Sequence, residues 1–243
     1  MHSGADGRWF PVHDPRPGSG SGQDAREPTA ALEVHHWAHD GADGVPSEQH
    51  TFRIPHRVCA AAVSEDGSAA AFLSGLLEGD RPPGSVKVYG VDPAEDPEAR
   101  ARLVGLVPGT APPPETSVHD TLAQAGVTHG LDEETAYDRA GQLLDVLELR
   151  AVEHAATGTL PPGEGSRVAL GEALVRLPRL LLLRDAFDGV DETSEAIISR
   201  TLKCFSASTG TVLFSTASPE LADRLADHVV TVRDGEVVAS HSV

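Results

Sequence analysis

The feature that most constrains this chain is a set of short apolar runs without alternation, each followed by a stretch with helical character. Val58–Val63 (Val-Cys-Ala-Ala-Ala-Val) and Leu180–Leu183 contain no polar residue. A strand with one wet face alternates apolar and polar residues, whereas an unbroken run belongs to a strand covered on both faces. Further strands are expected at Ala31–Val34, Thr51–Ile54, Leu103–Val107, Thr211–Ser215 and Val229–Val232, and the leucine run extends from Arg179. Helical patterns fill the gaps: Ser68 to about Glu78, Gly165–Leu177, Glu192 to about Phe205 and Pro219–Leu225. From Ser117 to about Leu149 the pattern is helical throughout, with Ser117 and Asp132 placed as N-caps, whose oxygens accept from first-turn N–H groups. Such an order predicts an α/β domain with a largely parallel sheet, interrupted by a helical insert.

Residues 1–29 are rich in Gly, Pro and Ser, as in Pro15-Arg16-Pro17-Gly18-Ser19-Gly20-Ser21-Gly22. They offer too little apolar surface to offset ordering entropy and are expected to be a flexible tail, leaving 30–243 as one domain. Nineteen Lys and Arg against thirty-seven Asp and Glu give a net charge of −18, which opposes binding to nucleic acid or to an anionic bilayer. No apolar run approaches the roughly 20 residues that span a membrane, and no basic-then-apolar leader opens the chain. A soluble, cytoplasmic protein without direct membrane insertion is expected. Cys59 and Cys204 could form at most one disulfide, and free buried thiols fit a reducing compartment better. His35, His36 and His39 lack the carboxylate or thiol spacing of a metal centre, so no metal site is expected.

The segment from Leu160-Pro161-Pro162-Gly163-Glu164 through Arg167-Val168-Ala169-Leu170 to Leu180–Leu183 and Gly189-Val190-Asp191 resembles the heart of an ATP-binding-cassette (ABC) nucleotide-binding domain. That family reads L-S-G-G-Q-x-x-R-V-A-L, then L-L-L-L-D-E-P-x-x-G-L-D. The order of blocks holds on both sides: Val58–Gly79 resembles the strand, phosphate loop and helix, and Gly84–Val91 the block after it. Thr211–Ala217 and Leu225–Val238 resemble the closing blocks. The resemblance implies a P-loop NTPase-like core with a mostly parallel sheet, antiparallel N-terminal strands and a helical insert at about 116–177. The family docks onto permeases with its helical insert, matched here by about Thr116–Gly158, and with the groove near the glutamine loop.

The positions that carry chemistry depart from the family pattern. Its phosphate loop, G-x-x-x-x-G-K-S/T, brings backbone N–H groups and a lysine to the phosphates and a hydroxyl to Mg²⁺. The matching positions here are Ser64, Ala69, Ala70 and Ala71, with Gly67 retained between them and Glu65 and Asp66 at the mouth. Arg184 stands where the family holds Mg²⁺ with a carboxylate. Asp185, a weak catalytic candidate, stands at the catalytic Glu, one methylene shorter and expected to pair with Arg184 or solvent. Gly109 and Ala217 replace the glutamine and the switch histidine. In the signature, Pro161 removes a hydroxyl, Pro162 removes an N–H, Gly163 remains, and Glu164 puts a carboxylate at the positive helix end. Trp37 or His39 falls near the family's adenine-stacking aromatic, with packing on the first strands expected for Trp37.

Three functions stay open at this point. The first is a pseudo-ATPase without ATP or Mg²⁺, acting as a structural or regulatory partner in a transport complex. It would contact a membrane permease subunit or a second ABC ATPase domain and sit at the inner membrane face through that partner. The second is an ATP-binding transporter subunit that still binds or hydrolyses ATP with Mg²⁺. The third is a binding or regulatory module unrelated to transport.

Overall fold

The computed structural model describes residues 30–37, 50–77, 85–107 and 115–243. The expected tail 1–29, His39 and Gly109 lie outside them, as do the side chains of His36 and Trp37. Two sheets form. β1 (Leu32–Trp37) pairs antiparallel with β2 (His50–Ile54) and β4 (Val86–Val88), in the order β2-β1-β4. The larger sheet takes β3 (Cys59–Val63), β5 (Val104–Val107), β6 (Leu180–Leu183), β7 (Thr211–Thr216), β8 (His228–Arg233) and β9 (Glu236–Ser242). Its order is β5-β6-β7-β3-β8-β9, parallel except for β9.

The unbroken apolar runs are explained by what covers them. Along β3, Cys59, Ala61 and Val63 join one core, and Ala60 and Ala62 join another. Along β6, Leu181 and Leu183 face the first core, and Leu180 and Leu182 the second. Period-two alternation is therefore present, but both faces are dry. The first core is closed by α3 (Val118–Thr128), α4 (Glu133–Val146), α5 (Pro162–Leu174), α6 (Glu192–Ser208) and α7 (Pro219–Leu225). The second is closed by α1 (Ser68–Gly75), α2 (Pro97–Leu103) and the three-stranded sheet.

Ser117 and Asp132 cap α3 and α4 as expected, accepting from the N–H groups of Asp120 at 3.1 Å and Thr135 at 2.9 Å. Several boundaries differ from expectation. α5 opens at Pro162 rather than Gly165, because a proline at the first helical position gives up an N–H that has no partner there anyway. Leu103 ends α2, an unexpected helix that Asp96 caps with Pro97 at its first position. β9 was likewise unexpected: it is a solvent-facing edge strand joined to β8 by Asp234 (φ 54°) and Gly235 (φ 82°), the paired left-handed conformations of a two-residue hairpin turn. Cys59 and Cys204 are free; Cys59 is buried as expected, but Cys204 is exposed on α6.

Candidate functional site

Because β3, β6 and β7 run parallel, their C-terminal ends open on one edge of the sheet, where α/β folds gather their ligand groups. That edge collects Ser64 after β3, Arg184 and Asp185 after β6, and Ala217 after β7. Here the chain turns its polar groups on itself. The buried Ser64 hydroxyl accepts the Ala69 N–H at 2.8 Å, in the first turn of α1. Asp66 accepts the Ser68 N–H at 2.9 Å and the Ser68 hydroxyl at 2.6 Å with one oxygen. Its other oxygen accepts the Asp234 N–H at 2.8 Å, latching the loop to the β8–β9 turn. These donors hold the exposed Asp66 carboxyl far below the usual carboxylate range. Gly67, at φ 78°, makes the left-handed turn into α1.

Arg184 is half-buried and donates to the Ser74 hydroxyl on α1 at 2.7 Å. Of the two partners expected for Asp185, Arg184 is not paired with it, while the Asp185 side chain stays partly exposed. Asp185 receives the Ser215 hydroxyl at 2.9 Å, and Ser215 in turn accepts the Asp185 N–H at 2.9 Å. Both residues follow the end of β6, and the left-handed backbone of Asp185 (φ 49°) turns the chain there, so Arg184 reaches α1 and Asp185 reaches β7. Burial and the Asp185 charge push the Asp188 carboxyl up. Neither lysine joins this edge: Lys203, on α6, pairs with Asp227 at 2.8 Å, and Lys87 lies in β4 opposite Glu33.

The signature segment lies at the start of α5, where the exposed Pro161 caps the helix through its carbonyl, accepting from the Gly165 N–H at 2.9 Å. Gly163 is pressed against the cap of α6. A Cβ there would lie 2.3 Å from both Asp191 Oδ2 and Ser194 Oγ. Asp191 is the N-cap of α6, accepting the Ser194 N–H at 2.9 Å and hydroxyl at 2.7 Å. Glu164 leans towards Arg167 at 3.9 Å; Arg167 is buried and donates to the carbonyls of Leu147 and Glu148 at the end of α4. His35 pairs with Glu33 at 3.5 Å, and no cluster of His, Cys, Asp and Glu among the described residues could hold a metal ion.

The fold and the order of these blocks can be compared with known proteins. No family model matches the chain. Its sequence is 32% identical over 128 residues to the lipoprotein-releasing system ATP-binding protein LolD 1 of Rhodospirillum rubrum, covering 52% of this chain and 56% of that protein. It is 27% identical over 211 residues to the Nod factor export ATP-binding protein I of Sinorhizobium fredii, covering 86% and 62%. An ATP-binding subunit of an ABC transporter superposes with a TM-score of 0.77 at 21% identity, over 88% of this chain and 90% of that one. The chain is a relative of ABC transporter ATP-binding subunits. cbiO1 of Clostridium perfringens, part of the ABC transporter complex cbiONQ, shares the same fold with a TM-score of 0.76 at 17% identity, covering 88% and 89%. The chain spans roughly a third to three fifths of the length of the curated relatives it matches. The domain shares its α/β fold with these solved structures; it has a mostly parallel sheet and a separate antiparallel one, and none of its described helices is long and apolar enough to cross a membrane.

Proposed function

We propose that this chain is a catalytically inactive, ABC ATPase-like subunit that works through protein contacts as a structural or regulatory partner of a transport complex. One observation carries the reading. The backbone N–H groups that a phosphate loop offers to a nucleotide are taken by the chain's own oxygens: Ala69 by Ser64, and Ser68 by Asp66. An anion arriving there would have to displace a carboxylate that already holds three donors. Mg-ATP does not fit these residues. Ala70 supplies no cation for the phosphates, Ala71 no hydroxyl for Mg²⁺, and Arg184 opposes a divalent metal where a carboxylate would attract it. Asp185 spends Oδ1 on the Ser215 hydroxyl rather than on a water.

Under this reading the partner is a permease subunit or a second ABC ATPase domain at the inner membrane face, engaged through the helical insert. Calorimetric titration of the full chain with Mg-ATP tests it. No heat of binding is expected at micromolar to sub-millimolar nucleotide, and a micromolar dissociation constant would overturn the reading.

A further inference from the structure

A cavity of ≈ 530 Å³ opens between the loop after β3, α7 and the β8–β9 hairpin. Its lining includes none of Ala70, Ala71, Arg184 and Asp185, the positions that match the family's phosphate and metal groups. Val63, Ala222, Val229 and Val232 give it apolar walls. Its ionisable groups are the carboxylates of Glu65, Asp66, Asp223 and Asp234, with Arg233 and His241 set against them. These carboxylates are not equally free. Asp66 spends both oxygens on Ser68 and on the Asp234 N–H. That latch brings Glu65 and Asp234 to one corner of the cavity, while Asp223 approaches from α7. Glu65, Asp223 and Asp234 are exposed, and their carboxylates have no hydrogen bond or ion pair among the described residues. One buried group is also unspent. The Ser64 hydroxyl, 3% exposed, accepts the Ala69 N–H but has no acceptor for its own proton among the described residues.

Uncommitted carboxylates around an apolar hollow repel one another and exclude an anionic ligand. An organic cation does the reverse, pairing with them while its body covers the apolar walls. A buried O–H without an acceptor is unfavourable, and a ligand oxygen relieves it. The volume falls within the roughly 300–1,000 Å³ of small-molecule pockets. We propose that this cavity binds a small organic cation: an apolar body carrying one ammonium group for Glu65, Asp223 and Asp234 and one oxygen acceptor for Ser64. Such a ligand is opposite in charge to a nucleotide and meets other residues, so the site is an addition to the protein-contact reading and does not depend on it.

The probes are 4-phenoxybutylamine, its neutral counterpart 4-phenoxybutanol, and 5-phenylpentylamine, in which a methylene replaces the ether oxygen. Each is titrated calorimetrically into the full chain. The phenoxy amine should bind with a sub-millimolar dissociation constant, about tenfold tighter than the alcohol, since each exposed ion pair adds a small factor and three act together. It should bind about threefold tighter than 5-phenylpentylamine, which offers Ser64 no acceptor. Glu65→Gln combined with Asp223→Asn should cut the preference for amine over alcohol to about twofold without lowering the melting temperature. Thr231→Phe, which fills the cavity from β8, should abolish binding of all three probes. Equal binding of amine and alcohol, no binding by any probe, or an ether no better than its methylene analogue would overturn the proposal. So would a preference that survives the double variant, or binding that survives Thr231→Phe. Spermidine binding as tightly as the phenoxy amine would also overturn it, marking attraction to the chain's net charge of −18 in place of a fitted cavity.

Discussion

The interior of the large sheet and its C-terminal edge follow opposite rules, although they are the same strands a few residues apart. Inside, Leu180–Leu183 and Val212–Phe214 are wholly buried, and apart from Thr211 beside Leu180 their partners on the adjoining strands are apolar. At the edge, Ser64, Asp66, Arg184 and Asp185 are polar, and each is bound to a partner within the chain. The interior fixes the fold through volume and dryness, which many sequences satisfy. The edge is set by individual atoms, and there the donors a nucleotide would need are already taken. Under the proposed function, this contrast is what lets a chain keep the fold while its edge changes use.

The comparison breaks first in the interior. Leu182 sits in the second core with Leu106 and Leu213 as its register neighbours on either side. Leu182→Ala should cost about 2–5 kcal/mol, from lost transfer energy and the cavity left behind, read as a lower urea midpoint at unchanged slope. A loss below about 1 kcal/mol would mean the site collapses freely and the interior is less tightly packed than described.

The signature helix tests whether the edge is equally tight where backbone meets a cap. Gly163→Ala should destabilise by about 1–3 kcal/mol, because a methyl group there meets Asp191 Oδ2 and Ser194 Oγ at 2.3 Å. Gly165, one turn into the same helix, has nothing within 4 Å of an added Cβ. Gly165→Ala should stabilise by about 0.5–1 kcal/mol through helix propensity. Thermal melts of the two variants side by side decide the matter, and equal shifts would dissolve the distinction.

How legible these regions were follows the same division. The strands and most helices could be read because burial on two faces and capping oxygens leave marks in local sequence, as at Leu180–Leu183, Ser117 and Asp132. α2 carried its own mark, Asp96-Pro97, which went unread. β9 carried little, because an exposed edge strand has no buried face to impose a pattern. At the edge the sequence revealed which groups the family pattern had lost. It did not reveal what they had been exchanged for. The Asp66–Asp234 latch joins residues 168 positions apart and Arg184–Ser74 residues 110 apart, and no local rule anticipates either. Asp185 neighbours Arg184 in sequence, yet its hydroxyl partner is Ser215, 30 positions further on.

Two carboxylates sharpen the contrast through pH. Asp66 has its folded pKa lowered by its donors, so its contribution is present above the unfolded carboxylate range and is lost as pH falls. Glu172 has its folded pKa raised by desolvation, so folding is favoured below the unfolded pKa and that advantage is lost as pH rises through the folded value. Asp66→Asn should therefore lower stability at neutral pH, with the gap to the parent chain closing in acid. Glu172→Gln should raise stability slightly at neutral pH, and that gap should also close in acid. Urea midpoints measured from pH 3 to pH 7 check both signs, and the same sign for both variants would contradict the assignment.

The smallest expected effect is the most informative about the edge. Ala70→Lys with Ala71→Ser restores the lysine and hydroxyl of the family motif, and if those were all the site lacked, Mg-ATP binding should return. Three features oppose it. Position 70 lies one turn before Ser74, where the Arg184 guanidinium rests, so a lysine would meet a like charge on the same helix face. Glu65 and Asp66 at the mouth of the loop offer that lysine the chain's own carboxylates in competition with a phosphate. The Ser68 and Ala69 N–H groups also remain bonded to Asp66 and Ser64, so the backbone cradle is still closed. Calorimetry with Mg-ATP, together with a phosphate-release assay, should find no binding and no turnover in the double variant. Adding Asp66→Gly and Arg184→Asp should move it towards binding by freeing the amides and restoring a metal ligand. Turnover in the double variant alone would show that the Asp66 and Ser64 bonds open readily, and that the edge is a dormant nucleotide site rather than a replaced one.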